Sequence, residues 1–294
     1  MPSLRPYLFL LLTVLIFSGN ILVGKALADL PALTISWARV FIALLLLAPL
    51  GLPQMLRAIP TFRAHWRPLL ALALTGVAFF NALIYAALKT TSSTNVAILE
   101  ATIPVVTILV SFVVLGERYR WLQWLGVALS LSGAIAVITQ GDSAQATGIS
   151  TGDVLMALAI LVWVGYSLLV KSHIAKFPRY GGLLAMLIIA NLVLAPLAML
   201  EWFWQGEIPS IDASQALGLA YLGIFPSVIA LLLYSSAIGD VGPTRAAVFL
   251  NLLPVFTMLG AWVLLGEAIT WVQVIGSLVV ISGVMLTLRG RPKA

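Results

Sequence analysis

Residues 95–133 read NVAILEATIPVVTILVSFVVLGERYRWLQWLGVALSLSG, and residues 245–283 read RAAVFLNLLPVFTMLGAWVLLGEAITWVQVIGSLVVISG. Laid on one another without a gap, they match Pro104 to Pro254, Thr107 to Thr257, Gly116 to Gly266 and Glu117 to Glu267. Trp121 likewise meets Trp271, Gln123 meets Gln273 and Gly133 meets Gly283. Residues 97–133 share 14 identities in 37 positions with residues 247–283. Matches on Pro, Gly, Glu, Trp and Gln exceed what a shared preference for Leu and Val produces, so the chain carries one unit twice.

Of the 294 residues, 62% are hydrophobic and 9% charged, against roughly 45–50% and about 25% in soluble domains. A membrane span takes about 20 apolar residues at roughly 1.5 Å of rise each. Such runs follow one another here at about 7–27, 32–50, 68–88, 94–115, 121–139, 153–175, 180–200, 216–238, 244–265 and 271–288. The expected fold is an all-α integral membrane protein of ten transmembrane helices. Residues 1–139 form a first five-span repeat, and residues 153–294 form a second with a short basic tail. Residues 140–152, QGDSAQATGISTG, are polar and without apolar periodicity, and they form the linker.

With both termini in the cytoplasm, 13 of the 16 Lys and Arg residues face inside: Arg5, Arg57, Arg63, Arg67, Arg118, Arg120, Lys171, Lys176, Arg179, Arg245, Arg289, Arg291 and Lys293. Lys25 and Lys89 fall outside and Arg39 within a span, which fixes the orientation by the positive-inside rule. Five spans per unit turn the second copy upside down. The first turn, LGERYR, keeps its arginines inside, and the second, LGEAIT, has none where it faces out, as an inverted-topology duplication requires. Arg5 before an apolar run, with Ala26-Leu27-Ala28 after it, has the outline of a secretory signal. Gly165 and Lys171 repeat the spacing of Gly19 and Lys25, so the first span is read as the retained partner of the sixth.

The net charge of +6 is spread over loops, which excludes a nucleic-acid face and fits membrane orientation. With no cysteine there is no disulfide or thiolate metal site, and His65 and His173 lie in short basic connections. Gly19 to Lys25 fits G-x-x-x-x-G-K, but Ala26 stands where Ser or Thr would hold Mg²⁺, and the motif runs through an apolar helix, so ATP is excluded. No hydrolytic motif is present. The chain is not expected to be an enzyme or to carry a cofactor or metal.

Polar residues at membrane depth are the remaining candidates, being costly to place there. Arg39 in span 2 and Glu100 in span 4 lie at similar depth and are expected to pair or to face one cavity. Pairing that only fixes helix register is the alternative. Leu250 replaces Glu100 in the repeat, so the acid departs from the duplicated scaffold. Asn20, Asn81 and Asn191 fall near mid-depth of spans 1, 3 and 7, and Asn251 lies deeper in span 9. Interhelical hydrogen bonding is the alternative for each. Trp163 and Tyr166 share a face of span 6, and Phe79, Phe80 and Tyr85 sit in span 3. Such aromatics at the midplane suit an amphipathic or aromatic solute as well as ordinary packing. Pro104 and Pro254 are expected to bend spans 4 and 9 and to serve as hinges. Gly126 with Gly133, and Gly276 with Gly283, each mark a close-packing face.

The doubled P…LGE…G…G run resembles the ten-span branch of the drug/metabolite transporter superfamily, whose EamA-type units end each five-span half in this way. Length, charge layout and aromatic candidates are most similar to YddG-type exporters of aromatic amino acids. The resemblance implies a bacterial inner-membrane protein with spans 1–4 and 6–9 around a central cavity and spans 5 and 10 outside it. It also implies export of a small molecule by alternating access, with membrane lipid as the surroundings. A monomer is expected.

Overall fold

In the computed structural model, residues 4–116, 119–140, 150–241 and 249–289 are described. Glu117, Arg118, Arg245, Arg291, Lys293 and most of the linker lie outside them. The described residues form helices and short connections, because backbone polar groups in hydrocarbon have to be satisfied within their own segment. In the first half these are α1 (Arg5–Ala26), α2 (Ala32–Arg57), α3 (Ile59–Ala64), α4 (Trp66–Leu72), a π-helical segment (Ala73–Phe79) and α5 (Phe80–Leu88). Then come α6 (Ser93–Glu100), α7 (Ile103–Leu115) and α8 (Trp121–Gln140). The second half holds α9 (Thr151–His173), α10 (Arg179–Gln205), α11 (Ala213–Ile224), a second π-helical segment (Phe225–Ile229) and α12 (Ala230–Val241). It closes with α13 (Leu253–Leu265) and α14 (Trp271–Arg289).

Seven of these stretches are long and apolar enough to cross a membrane: 5–26, 32–57, 66–88, 93–110, 151–170, 179–205 and 213–234. Residues 121–137, 253–265 and 271–287 form three shorter apolar helices. α2 and α10 run several residues past the expected ends of spans 2 and 7, tolerating Pro49, Pro53 and Pro196 inside them. The proline positions in spans 4 and 9 differ from the expectation of a bent continuous helix. Each stretch is broken, at Ala101–Thr102 and at Asn251–Leu252, and Pro104 and Pro254 sit as the second residue of α7 and α13. Proline has no N–H to offer the carbonyl four residues back and collides with it, whereas the first turn of a new helix accepts it. The carbonyls so deprived are those of Glu100 and Leu250.

The doubled glycine of the LGE turn has one physical role in both copies. Gly116 and Gly266 adopt φ of +66° and +65°, the left-handed conformation that ends a helix and that glycine enters without a Cβ penalty.

Pairings between elements are exchanged when the halves are exchanged: α1 packs on α12 and α13, and α9 packs on α5, α6 and α7. Corresponding helices also pack on each other and run antiparallel. The start of α2 meets the end of α10, where Trp202 Nε1 donates to Thr34 Oγ1 at 2.7 Å and Leu33 N donates to Glu201 Oε2 at 3.1 Å. The end of α2 meets the start of α10, where Tyr180 N and Gly181 N both donate to Gln54 Oε1. α8 and α14 likewise cross through their glycines, Gly126 against Gly283 and Gly133 against Gly276. A Cβ on Gly126 would stand 2.6 Å from the Gly283 carbonyl oxygen. The halves also share ends: the Glu267 carboxylate accepts from Ser93 N at the start of α6 at 3.1 Å, and Gln273 Nε2 donates to Asn95 Oδ1 at 2.9 Å.

Candidate functional site

A cavity of about 170 Å³ lies between the halves. By the volume one water occupies, that is room for on the order of ten waters. α1, α2, both π segments, α5, the α6–α7 break, α9, α10, α12 and residues 250–253 supply its walls; neither α8 nor α14 contributes.

Of the residues singled out from the sequence, Asn20, Arg39, Asn81, Glu100, Pro104, Trp163, Tyr166 and Asn251 line this cavity. Phe79, Tyr85, Asn191 and Pro254 do not. Phe79 is 39% exposed and faces outward, and its neighbour Phe80 takes the cavity position, its ring centroid 4.4 Å from that of Trp163. Trp163 lies 5.0 Å from Tyr166, so three rings form one continuous aromatic wall. Tyr85 is fully buried behind the lining. Asn191 is half-buried on α10, and its Nδ2 meets no partner among the described residues.

Arg39 is buried and does not pair with Glu100. Its guanidinium is taken up by neutral oxygens of four residues on three elements, α1, α5 and the second π-helical segment. Nη1 donates to Asn20 Oδ1 at 3.0 Å, to Asn81 Oδ1 at 2.7 Å and to the Tyr85 hydroxyl. Nε and Nη2 donate to Ser227 Oγ at 3.1 and 2.8 Å. The Tyr85 hydroxyl in turn donates to Asn20 Oδ1 at 2.9 Å. A buried charge is tolerated when its donors are satisfied in this way.

Ser227 is the residue that sequence reading missed. Pro226, the second residue of the second π segment, cannot donate to Leu222 O, and Ser227 Oγ supplies that bond at 2.7 Å. The same oxygen then accepts Arg39, so one hydroxyl mends the helix and joins the second half to the first. The Pro-Ser pair, with a buried arginine elsewhere in the chain, is the signal that could have found it. Glu100, facing the cavity from the α6–α7 break, has no hydrogen-bonded partner among the described residues. Asn251 Nδ2, at the α13 break and 3% exposed as a residue, has none either. Among the described residues no three His, Cys, Asp or Glu side chains gather in a metal-binding group.

A helical membrane protein with a cavity between its halves, walled by rings and a few convergent polar groups, has the form of a small-molecule transporter. The chain belongs to the EamA-like transporter family, whose model matches it twice, over residues 4–139 and 150–289. An "Uncharacterized transporter" of Archaeoglobus fulgidus is 29% identical over 96% of this chain and 97% of its own. The "Probable terminal-alkyne amino-acid exporter" of Streptantibioticus cattleyicolor is 27% identical over 77% of this chain and 75% of its own. The "Uncharacterized inner membrane transporter YedA" of Escherichia coli K12 is 28% identical over 76% and 72%. A solved crystal structure superposes with a TM-score of 0.66 over 99% of this chain and 98% of its own, at 22% identity, a likeness of fold.

Proposed function

We propose that this transporter exports amino acids, aromatic ones foremost, and related metabolites across a bacterial inner membrane by alternating access. The aromatic wall of Phe80, Trp163 and Tyr166 beside the polar ring of Asn20, Asn81 and Asn251 carries the reading, because it offers a ring-sized apolar surface and hydrogen bonds in one cavity. In this reading ten spans form two inverted five-span repeats, residues 1–139 and 153–294, with both termini cytoplasmic. The antiparallel packing of α2 on α10 and α8 on α14 supports the inversion. The breaks before Pro104 and Pro254 are the hinges about which the halves rock. The protein works as a monomer, without ATP.

Purified protein in liposomes, loaded with unlabelled phenylalanine and offered labelled phenylalanine outside, is expected to show saturable counterflow. Trp163→Ala and Asn81→Ala are expected to cut its rate while the protein remains folded. Wild-type rates in both variants would refute the site assignment, and flux that neither saturates nor exchanges would refute a carrier.

A further inference from the structure

We propose that the two helix breaks form a polarised substrate clamp, in which Glu100 takes the ammonium group and the Asn251 side-chain amide takes the carboxylate or carbonyl oxygen. Arg39 stays out of contact with the substrate. The proposal rests on the amino-acid reading above and names how that site distinguishes the two ends of its ligand.

The two breaks are equivalent positions of the duplicated unit, and α6 packs against α13. At the first, Pro104 leaves the carbonyl of Glu100 without its usual donor, and the side chain beside it is an acceptor that no described residue satisfies. This end of the cavity presents acceptors. At the second break the equivalent of Glu100 is Leu250, and the polar group is the following residue, Asn251. Asn251 lines the cavity, its Nδ2 is buried and without a partner among the described residues, and an unmade buried donor is costly to leave so. A ligand with donors at one end and an acceptor at the other completes both, and an α-amino acid or its amide has that form.

Arg39 would be the obvious carboxylate ligand, but its geometry speaks against it. A guanidinium has five N–H donors, and Asn20, Asn81, Tyr85 and Ser227 engage all three of its nitrogens. Drawing it to a substrate would break the bond that bridges the two halves.

Three probes separate these roles in the phenylalanine counterflow assay: L-phenylalanine, L-phenylalaninamide and N-acetyl-L-phenylalanine. The amide keeps the ammonium and the carbonyl but not the negative charge, and the acetylated compound keeps only the carboxylate. Phenylalaninamide is expected to compete within about threefold of phenylalanine, and N-acetylphenylalanine to be weaker by tenfold or more, about the effect of one charge-assisted hydrogen bond. Glu100→Gln is expected to weaken both amines by about tenfold or more. Asn251→Asp is the decisive variant. The carboxylate so introduced repels the carboxylate of phenylalanine but accepts an N–H from the carboxamide, so preference turns toward phenylalaninamide by about tenfold. Thermal unfolding of each variant in detergent confirms that it is folded.

Failure of phenylalaninamide to compete, or competition by N-acetylphenylalanine equal to that of phenylalanine, would overturn the clamp and return the carboxylate to Arg39. Equal loss of both amines in folded Asn251→Asp would overturn the role of Asn251. Absence of phenylalanine counterflow in the wild type would overturn the amino-acid reading, and the clamp with it.

Discussion

Ser227→Ala removes one oxygen and breaks three hydrogen bonds: the 2.7 Å bond to Leu222 O, and the 3.1 and 2.8 Å bonds from Arg39. Pro226 has no N–H with which to replace the first. Arg39 is buried among groups already engaged and cannot redirect its donors. Interhelical hydrogen bonds in membrane proteins average roughly 0.6 kcal/mol and reach about 1.7, and bonds to charged groups lie toward the upper end. Three such bonds give a loss of about 2–4 kcal/mol. At roughly 2–4 °C per kcal/mol for a chain of a few hundred residues, the midpoint falls by about 4–16 °C. Tryptophan fluorescence during thermal unfolding in mild detergent measures this. Ser227→Thr restores the hydroxyl and is expected to recover more than half of the loss. A drop of less than about 1 °C for Ser227→Ala, or a threonine variant no better than the alanine one, would refute the bridging role.

The other predictions use the same purified protein. Phe80→Ala removes the ring packed at a tilt on Trp163 and is expected to lower phenylalanine counterflow by about tenfold, since an aromatic pair contributes about 1 kcal/mol beyond its buried area, whereas Phe79→Ala leaves transport unchanged; the reverse pattern would overturn the assignment of the wall. Tyr85→Phe deletes a hydroxyl held by Arg39 and Asn20 and is expected to cost about 1–2 kcal/mol of stability with the transport KM unaltered, so a raised KM at unchanged midpoint would place Tyr85 in the cavity after all. Gly283→Ala drives a Cβ to 2.5 Å from Ser130 N, and overpacking of that kind is expected to cost about 1–3 kcal/mol, read as a lowered midpoint; wild-type stability would show that α8 and α14 can move apart freely.

Much of this architecture could be read from the chain because the bilayer enforces it. Hydrocarbon demands long apolar helices, and a duplicated run of Pro, Gly and Glu is visible without coordinates. The sequence set Asn20, Asn81 and Asn191 near one depth, and the structure gathers the first two on Arg39. Azimuth was not legible. Asn191 shares that depth but points elsewhere, and Phe79 was taken together with Phe80. Residues 73–79 form a π-helical segment, which changes the residues per turn and shifts the phase of everything after it, so a 3.6-residue period drawn through span 3 gives the wrong face. Arg39 and Glu100, expected to pair or to face one cavity, both line the cavity but do not pair, for a different reason. Arg39 found oxygens on three elements, one of them 188 residues away, and no local pattern announces such a partner. The breaks at residues 101–102 and 251–252 were half legible, in that proline marks a disturbance but not whether the helix bends or restarts.

The bond from Ser93 N to the Glu267 carboxylate joins residues 174 apart in the chain. During synthesis at roughly 5–20 residues per second, α6 therefore waits on the order of 10–35 s for the group that completes its first turn. α8 waits similarly for α14, against which its glycines close. The nascent first half thus resides in the membrane as an unfinished object, and its maturation is set by arrival of the last helix. Truncation before Trp271 is expected to leave the upstream helices inserted yet open to membrane proteases. A separately expressed second half would be needed to rescue them.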